Sequence, residues 1–149
     1  MSRFATAINC ISGRVQLPVI TYMKNTYGVD YVDMITAPGV NKLLAEGIYL
    51  TTTELIKKSA DISVNGHGSR LIAIVGHHDC LGNPAANDVQ WKQTLTAVRT
   101  VDSWAFNARV IGLWVDKTWR VSEVKDETKN SPLASRSFTE DSHDRHVEN

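Results

Sequence analysis

Two uninterrupted apolar runs, Leu71–Val75 and Val110–Val115, most constrain how this 149-residue chain can fold. A strand with one face in water alternates apolar and polar residues, and these two runs show almost no alternation. They are therefore typical of strands that are buried on both faces, as in a parallel sheet covered by helices on both sides. Phe4–Asn9 is a third apolar run, and Tyr31–Thr36 is a weaker one.

Segments with helical periodicity separate these runs. In residues 16–28, Pro18 suits a first helical turn and Gly28 suits the end of a helix. In residues 51–68, the threonines are candidate N-caps and Gly66 marks the end. Residues 87–105 form the third segment, with Asn87 or Asp88 as its cap.

The apolar residues of two of these segments fall on one helical stripe each. The first stripe consists of Leu17, Ile20, Met23 and Tyr27, and the second of Trp91, Leu95, Val98 and Val101. Strands that alternate with helices form βαβ units. The sequence therefore predicts a single α/β domain, with a mostly parallel central sheet flanked by helices, over residues 1–124. Residues 125–149 are polar and lack periodicity, and we expect them to form a tail that is flexible or docks on a partner.

The composition and the net charge argue against nucleic acid or a membrane as a partner. Apolar residues make up 42% of the chain, enough for a folded core, and 16 basic residues balance 16 acidic ones. Because the net charge is zero, no overall field attracts nucleic acid or an anionic membrane. No apolar segment approaches the roughly 18 residues that span a bilayer. The two cysteines and the lack of an export signal indicate the cytoplasm, where cysteines more often bind metal or catalyse than form disulfides.

Both cysteines follow predicted buried strands. Cys10 comes after the first apolar run, and His77 and Cys80 come after the run Leu71–Val75. Ligands of parallel α/β sheets bind beyond the carboxyl ends of the strands, so we expect the two loops to meet at one edge. Two thiolates and one imidazole with an open fourth position are typical of catalytic zinc. The sequence thus predicts a zinc site at Cys10, His77 and Cys80.

Other interpretations of these residues remain open at this point. A single His-x-x-Cys spacing is a weak signal for metal, and each cysteine could be a small buried apolar residue. His78 competes with His77 as the ligand, although an adjacent side chain is expected to face the other way. His67 is expected in a loop, and His143 and His146 lie in the polar tail.

The segments "AINCISGRV" (7–15) and "IAIVGHHDCLG" (72–82) together resemble the β-class carbonic anhydrases, whose pattern is Cys-x-Asp-x-Arg followed later by His-x-x-Cys. The resemblance covers roughly residues 4–121 and is greatest to short members of that class, through "GRVQLPV", "YGVDYVDMIT" and "HGSR". It implies zinc held by Cys10, His77 and Cys80, reversible hydration of carbon dioxide to bicarbonate, and a homodimer with its active sites near the interface.

One position departs from the family pattern. Ser12 stands where the family has an aspartate that pairs with the arginine two residues later, and that arginine is retained as Arg14. We expect Arg14 to lack a charged partner, which would make the pocket more positive by about one unit charge and favour bound anions. Asp79 is a further catalytic candidate that would assist proton transfer, although hydrogen bonding to the loop backbone is the alternative role for its side chain.

Two functions therefore follow from the sequence. The first is zinc-dependent hydration of carbon dioxide, altered or impaired by Ser12, and a variant of it is hydrolysis of carbonyl sulfide or carbon disulfide. The second is a zinc-bound protein that binds bicarbonate or another anion without catalysis. A shared fold alone does not decide between them.

Overall fold

The structure, a computed structural model, describes residues 1–126 and consists of strands and helices that largely alternate. The elements are β1 (Phe4–Asn9), α1 (Gln16–Tyr27), β2 (Tyr31–Thr36), α2 (Val40–Glu46), α3 (Leu50–Asp61), β3 (Leu71–His77), α4 (Asn87–Asp102), β4 (Arg109–Val115) and β5 (Val121–Val124). A short 3₁₀ turn, Gly13–Val15, precedes α1, and a π-helical turn, Ile62–Gly66, continues α3.

The five strands form one sheet in the order β2-β1-β3-β4-β5. The first four strands are parallel, and β5 pairs antiparallel with β4. The predicted α/β fold with a mostly parallel sheet is confirmed. From β1 the chain proceeds to β2 on one side and later returns to β3 on the other side. This reversal opens a crevice at the carboxyl ends of β1 and β3, which is where such folds bind ligands.

Apolar residues cover both faces of the sheet, as the lack of alternation predicted. On one face, α1 packs Val19 and Met23 against Ala7, Val75 and Leu113 of the strands. On the other face, helices α2, α3 and α4 pack against the sheet. The residues of that second core include Ile8, Ile72, Ile74, Leu44, Ile56 and Val101.

Several local predictions were wrong. Helix α2 and strand β5 were not predicted. Helix α3 begins at Leu50 after Tyr49, and α4 begins at Asn87 after Ala86, with no side-chain cap on either helix. The predicted threonine caps and the Asn87 or Asp88 cap are therefore absent. By contrast, α1 ends at Gly28 in the left-handed conformation, as predicted.

The predicted apolar stripes are shifted from the buried faces. Leu17 is 71% exposed, whereas Val19 is fully buried. In α4 the buried positions are Gln90, Thr94, Ala97 and Val101, so of the predicted stripe only Val101 is buried. The buried face of α4 is shifted because it contacts α2. Asn41 of α2 donates hydrogen bonds to Gln90 Oε1 at 3.3 Å and to Thr94 Oγ1 at 3.2 Å. Buried polar side chains are tolerated where they are hydrogen-bonded in this way.

The predicted polar tail, residues 125–149, lies outside the described residues except for Lys125 and Asp126, and so do His143 and His146. Within residues 1–126, no helix is both long enough and apolar enough to span a bilayer.

Candidate metal centre

Two loops meet at the crevice between β1 and β3. Cys10 directly follows β1, His77 is the last residue of β3, and Cys80 lies three residues further on. Their ligand atoms all lie within 4.8 Å of one another, and all three residues are buried. The structure thus brings together the three side chains that were predicted to share a metal ion.

The two sulfurs are free thiols in contact. Cys10 Sγ and Cys80 Sγ are 3.7 Å apart, which is much longer than the roughly 2.05 Å of a disulfide. One hydrogen bond between the thiols lowers the pKa of Cys10 well below its usual range and, together with burial, raises the pKa of Cys80. The pair therefore holds one negative charge easily, and a metal ion would have to displace the second proton.

Backbone N–H groups surround both sulfurs. Ser12 and Gly39 donate to the Cys10 sulfur, and Gly82 and Asn83 donate to the Cys80 sulfur. Each of these hydrogen bonds lowers the pKa of the sulfur that accepts it, because it stabilises the charged form. The loops are therefore built to stabilise thiolates, the form of cysteine that binds metal.

His77 provides the test of whether a metal ion fits. Its Nδ1 is 2.8 Å from the carbonyl oxygen of His78, so Nδ1 carries the proton and donates it there. Its Nε2 is buried, has no hydrogen-bond partner of good geometry among residues 1–126, and lies close enough to Cys10 to help lower the pKa of that thiol. A buried nitrogen lone pair without a partner costs free energy, and a metal ion between this nitrogen and the two sulfurs would satisfy it. Sulfur and nitrogen donors in this combination suit zinc.

Side chains that sequence analysis missed hold the first loop. The Asn9 amide accepts from the Cys10 N–H at 2.9 Å and donates to the Val15 carbonyl at 3.2 Å. Gln16 Nε2 donates to the carbonyls of Cys10 at 2.6 Å and Ser12 at 2.9 Å. A buried asparagine at the end of an apolar strand was the signal that could have identified this support.

A contact between two glycines holds the second loop. A Cβ on Gly39 would lie 2.3 Å from the Gly82 carbonyl oxygen, and Gly39 also has a φ of +54°. Both features exclude larger residues at position 39 without distortion. The close approach places the Gly39 N–H against Cys10 and couples the loop before α2 to the loop after Cys80. No sequence pattern in the segment Thr36–Gly39 indicates this role.

Arg14 is not without a charged partner, so that expectation was wrong. Its Nη1 lies 3.2 Å from Asp79 Oδ2, and its Nη2 donates to the Asp79 carbonyl at 2.9 Å. Its Nε donates to Ser12 Oγ at 3.2 Å, and its guanidinium carbon lies 4.9 Å from the centre of the Trp119 ring. The expected excess of one positive charge is therefore cancelled by Asp79.

The backbone explains how Asp79 reaches Arg14. Asp79 has a φ of +57°, a left-handed conformation that aspartate tolerates better than most residues. Its carboxylate binds a side chain from the other loop, and the alternative role of binding its own loop's backbone is not observed. His78 points away from the thiols, with Nδ1 3.4 Å from Asn87 Nδ2. His67 lies after the π-helical turn, beyond the amino end of β3, and takes no part in this site.

Residues 1–125 match the family described as "Putative carbonic anhydrase". No curated protein matches the chain. Among solved structures, the chain is similar to the β-carbonic anhydrase CafA of the fungal pathogen Aspergillus fumigatus, with 12% identity over 85% of this chain and 78% of that one and a TM-score of 0.43. Because the family match spans almost the entire described fold, including Cys10, His77 and Cys80, the chain belongs to this carbonic anhydrase family.

Proposed function

We propose that this protein is a zinc-dependent carbonic anhydrase that interconverts carbon dioxide and bicarbonate. The observation that carries the proposal is the buried triangle of Cys10, His77 and Cys80, whose ligand atoms all lie within 4.8 Å of one another. Family membership supports the reaction, and the donor set supports the metal.

Zinc bound there would supply Lewis-acid activation of water at neutral pH, the source of the nucleophile for carbon dioxide. The chain's own residues hold the site in place for that chemistry. Hydrogen bonds from Gly39 and Gly82 favour charged sulfurs, and the His78 carbonyl fixes the orientation of the His77 ring. Such supporting contacts hold ligands in their binding geometry before the ion arrives.

Arg14, Ser12 and Asp79 form the second part of the proposed site. Ser12 Oγ accepts from Arg14, so the Ser12 hydroxyl hydrogen remains to be donated to a substrate oxygen. Asp79 contributes the carboxylate that the family pattern places at position 12, and it neutralises Arg14 from the other loop. We therefore assign Ser12 to substrate orientation, and Arg14 and Asp79 to positioning.

The neutral Arg14–Asp79 pair argues against the anion-binding alternative. That alternative is supported by Ser12 in place of the aspartate, and the ion pair removes the excess positive charge at Arg14 that would have helped to retain bicarbonate. A hydrolase of carbonyl sulfide or carbon disulfide would use the same residues, so substrate assays must separate it from a carbonic anhydrase.

We also propose a cytoplasmic homodimer. Ile11 and Leu81, each next to a predicted metal ligand, are 59% and 93% exposed. Apolar side chains beside a functional site are suited to coverage by a second subunit. Two buried free thiols in contact fit a reducing compartment. Sedimentation velocity would test the dimer, and a monomer at micromolar concentration would contradict it.

The experiment that tests the function compares two adjacent histidines. Stopped-flow hydration of carbon dioxide and zinc content per chain are measured for the natural protein, His77→Gln and His78→Gln. We expect His77→Gln to lose both zinc and activity, and His78→Gln to keep about one zinc ion per chain. Equal metal content in the two variants would refute the proposed ligand set. A zinc-loaded natural protein that hydrolyses carbonyl sulfide but does not hydrate carbon dioxide would refute the proposed substrate.

A further inference from the structure

An open cavity of about 810 Å³ lies at the amino ends of the strands, at the edge of the sheet opposite the metal centre. Phe4 and Leu71, which begin β1 and β3, help to line it, whereas Cys10 and His77 lie at the other ends of these strands. At about 3.3 Å per residue, six or seven residues of strand separate the two sites by roughly 20 Å. The cavity is therefore independent of the proposed reaction.

The polar lining of the cavity is basic. Arg3, Arg70 and Arg109 line it together with His67, and the lining contains no aspartate or glutamate. Three guanidinium groups around one cavity favour an oxyanion, since each offers several N–H donors in a fixed plane. Three carboxylates lie just outside the lining: Asp33 is 2.7 Å from His67, Glu123 is 3.4 Å from Arg109, and Asp30 accepts the Arg3 backbone N–H.

Each arginine makes at least one hydrogen bond with the protein. Arg3 Nη2 donates to the Gly28 carbonyl at 2.6 Å and to the Tyr27 carbonyl at 3.3 Å. Arg70 Nη1 donates to the Ser69 carbonyl at 3.1 Å, and Arg109 Nη2 is held by Glu123. Because these bonds use only part of each guanidinium, donors remain for a ligand. A side chain already held in place loses less entropy on binding than a mobile one.

His67 is held even more firmly. Its Nδ1 is 2.7 Å from Asp33 Oδ2, and the same oxygen accepts a 2.7 Å hydrogen bond from Ser63. Ser63 belongs to the π-helical turn, a rare conformation that is frequent at functional sites. Asp33 contacts only Nδ1 of the His67 ring, and Nε2 has no hydrogen-bond partner among residues 1–126.

Most of the remaining lining is apolar, and two of its side chains are aromatic. The Phe4 ring lies 4.5 Å from the His67 ring and 5.1 Å from the Tyr31 ring, measured between centroids. Tyr27 and Leu71 are partly buried against the core and also line the cavity. Specific small-molecule sites combine apolar walls with a few fixed polar groups in this way.

We propose that this cavity is a binding site for a small organic oxyanion, a phosphate or a carboxylate attached to a flat apolar group. The arginines bind the oxyanion, and Phe4, Tyr27 and Leu71 contact the apolar group. The site does not depend on the bound metal or on the hydration of carbon dioxide.

An NMR titration of the ¹⁵N-labelled protein tests this proposal with four probes: phenyl phosphate, benzoate, inorganic phosphate and phenol. We expect saturable shifts of the Gly28, Gly68 and Arg70 amides, with phenyl phosphate or benzoate binding at least about tenfold more tightly than inorganic phosphate or phenol. Whichever of the two combined probes binds more tightly identifies the oxyanion as a phosphate ester or a carboxylic acid. No saturable shift at millimolar probe, or equal binding of inorganic phosphate, would overturn the proposal.

Matched variants locate the binding. Arg70→Gln and Arg109→Gln should each weaken binding by about tenfold or more, because a charge-assisted hydrogen bond is lost. Arg120→Gln, which removes a guanidinium near the other edge of the sheet, should change it less than twofold. The amide spectra show directly whether each variant is folded. Unchanged affinity in both folded cavity variants, or shifts confined to the Ser12 and Gly82 amides, would overturn the proposal.

Discussion

Asp79→Asn should reduce kcat/KM for carbon dioxide hydration by about twofold to fivefold without unfolding the protein. Asparagine keeps the size of the side chain and tolerates the left-handed backbone at this position, so only the negative charge is removed. Arg14 would keep its hydrogen bonds to the Asp79 carbonyl and Ser12 Oγ, but it would lose its charged partner.

The size of the effect follows from the exposure of the pair. Arg14 Nη1 and Asp79 Oδ2 are 3.2 Å apart, and the two side chains are 44% and 68% exposed. Solvent screens such pairs, so their contribution to the free energy of unfolding is about 0.2–1 kcal/mol. If the transition state lost the full interaction of about 1 kcal/mol, the rate would fall about fivefold, since about 1.4 kcal/mol corresponds to a tenfold change in rate.

Stopped-flow kinetics and thermal denaturation of a set of variants would measure this effect. Asp102→Asn, which removes an exposed carboxylate at the end of α4, is the matched control and should retain full activity. In an Arg14→Gln background, Asp79→Asn should have no further effect, because Asp79 acts through Arg14. Adding Ser12→Asp to Asp79→Asn gives Arg14 a charged partner again but removes the Ser12 hydroxyl donor, so the rate should stay below that of the natural protein.

Two results would refute the reasoning. A loss of a hundredfold or more would mean that Asp79 contacts the reacting groups itself. An equal loss in the natural and Arg14→Gln backgrounds would mean that the ion pair is not the means by which Asp79 acts.

Three further predictions concern the glycine contact, a tyrosine and the metal. Gly39→Ala should destabilise the fold by at least about 2 kcal/mol in urea denaturation. Gly47→Ala is the control, because Gly47 also has a positive φ but has open space around it, and it should cost only about 1 kcal/mol. Equal costs would contradict the close contact. Burial, followed by the nearby Tyr22 and Glu123, raises the pKa of Tyr27 to about 12, so stability should fall as pH rises from 10 to 12. Absorbance at alkaline pH should show one late-titrating tyrosine that Tyr27→Phe removes, and an unchanged titration in that variant would contradict the assignment. Removing bound metal from a metal-loaded sample with a chelator should lower Tm by at least about 5 °C in calorimetry, because the ion binds only the folded site. An unchanged Tm would contradict the proposed metal centre.

Much of the fold could be predicted because burial on both faces leaves a clear pattern. β1 and β2 have the predicted bounds, and β3 and β4 extend the predicted runs by one or two residues. α2 could not be predicted, because its seven residues are too few for a convincing helical period, and β5 is equally short. The wrong stripe on α4 followed from that omission: Gln90 and Thr94 are buried only because Asn41 of α2 hydrogen-bonds them.

The meeting of Cys10, His77 and Cys80 could be predicted because each lies at or just after the end of a strand, where parallel topology fixes which loops meet. The supporting residues could not, because their roles depend on distances across the fold. Nothing in the sequence near Gly39 indicates that its backbone contacts Gly82, 43 residues later. The expectation for Arg14 was wrong for the same reason, because its charged partner Asp79 lies 65 residues away in the sequence.

The Arg14–Asp79 pair shows that a motif can lose a residue while the site keeps the corresponding charge. Position 12 lies on the loop after β1, and position 79 lies on the loop after β3. These loops meet where Cys10 contacts Cys80. A carboxylate on either loop can therefore reach a guanidinium between them, and the left-handed backbone at Asp79 directs its carboxylate there. The electrostatic effect of serine at position 12 is for this reason much smaller than the motif suggests. What serine does change is hydrogen bonding, because a hydroxyl both donates and accepts where an ionised carboxylate only accepts.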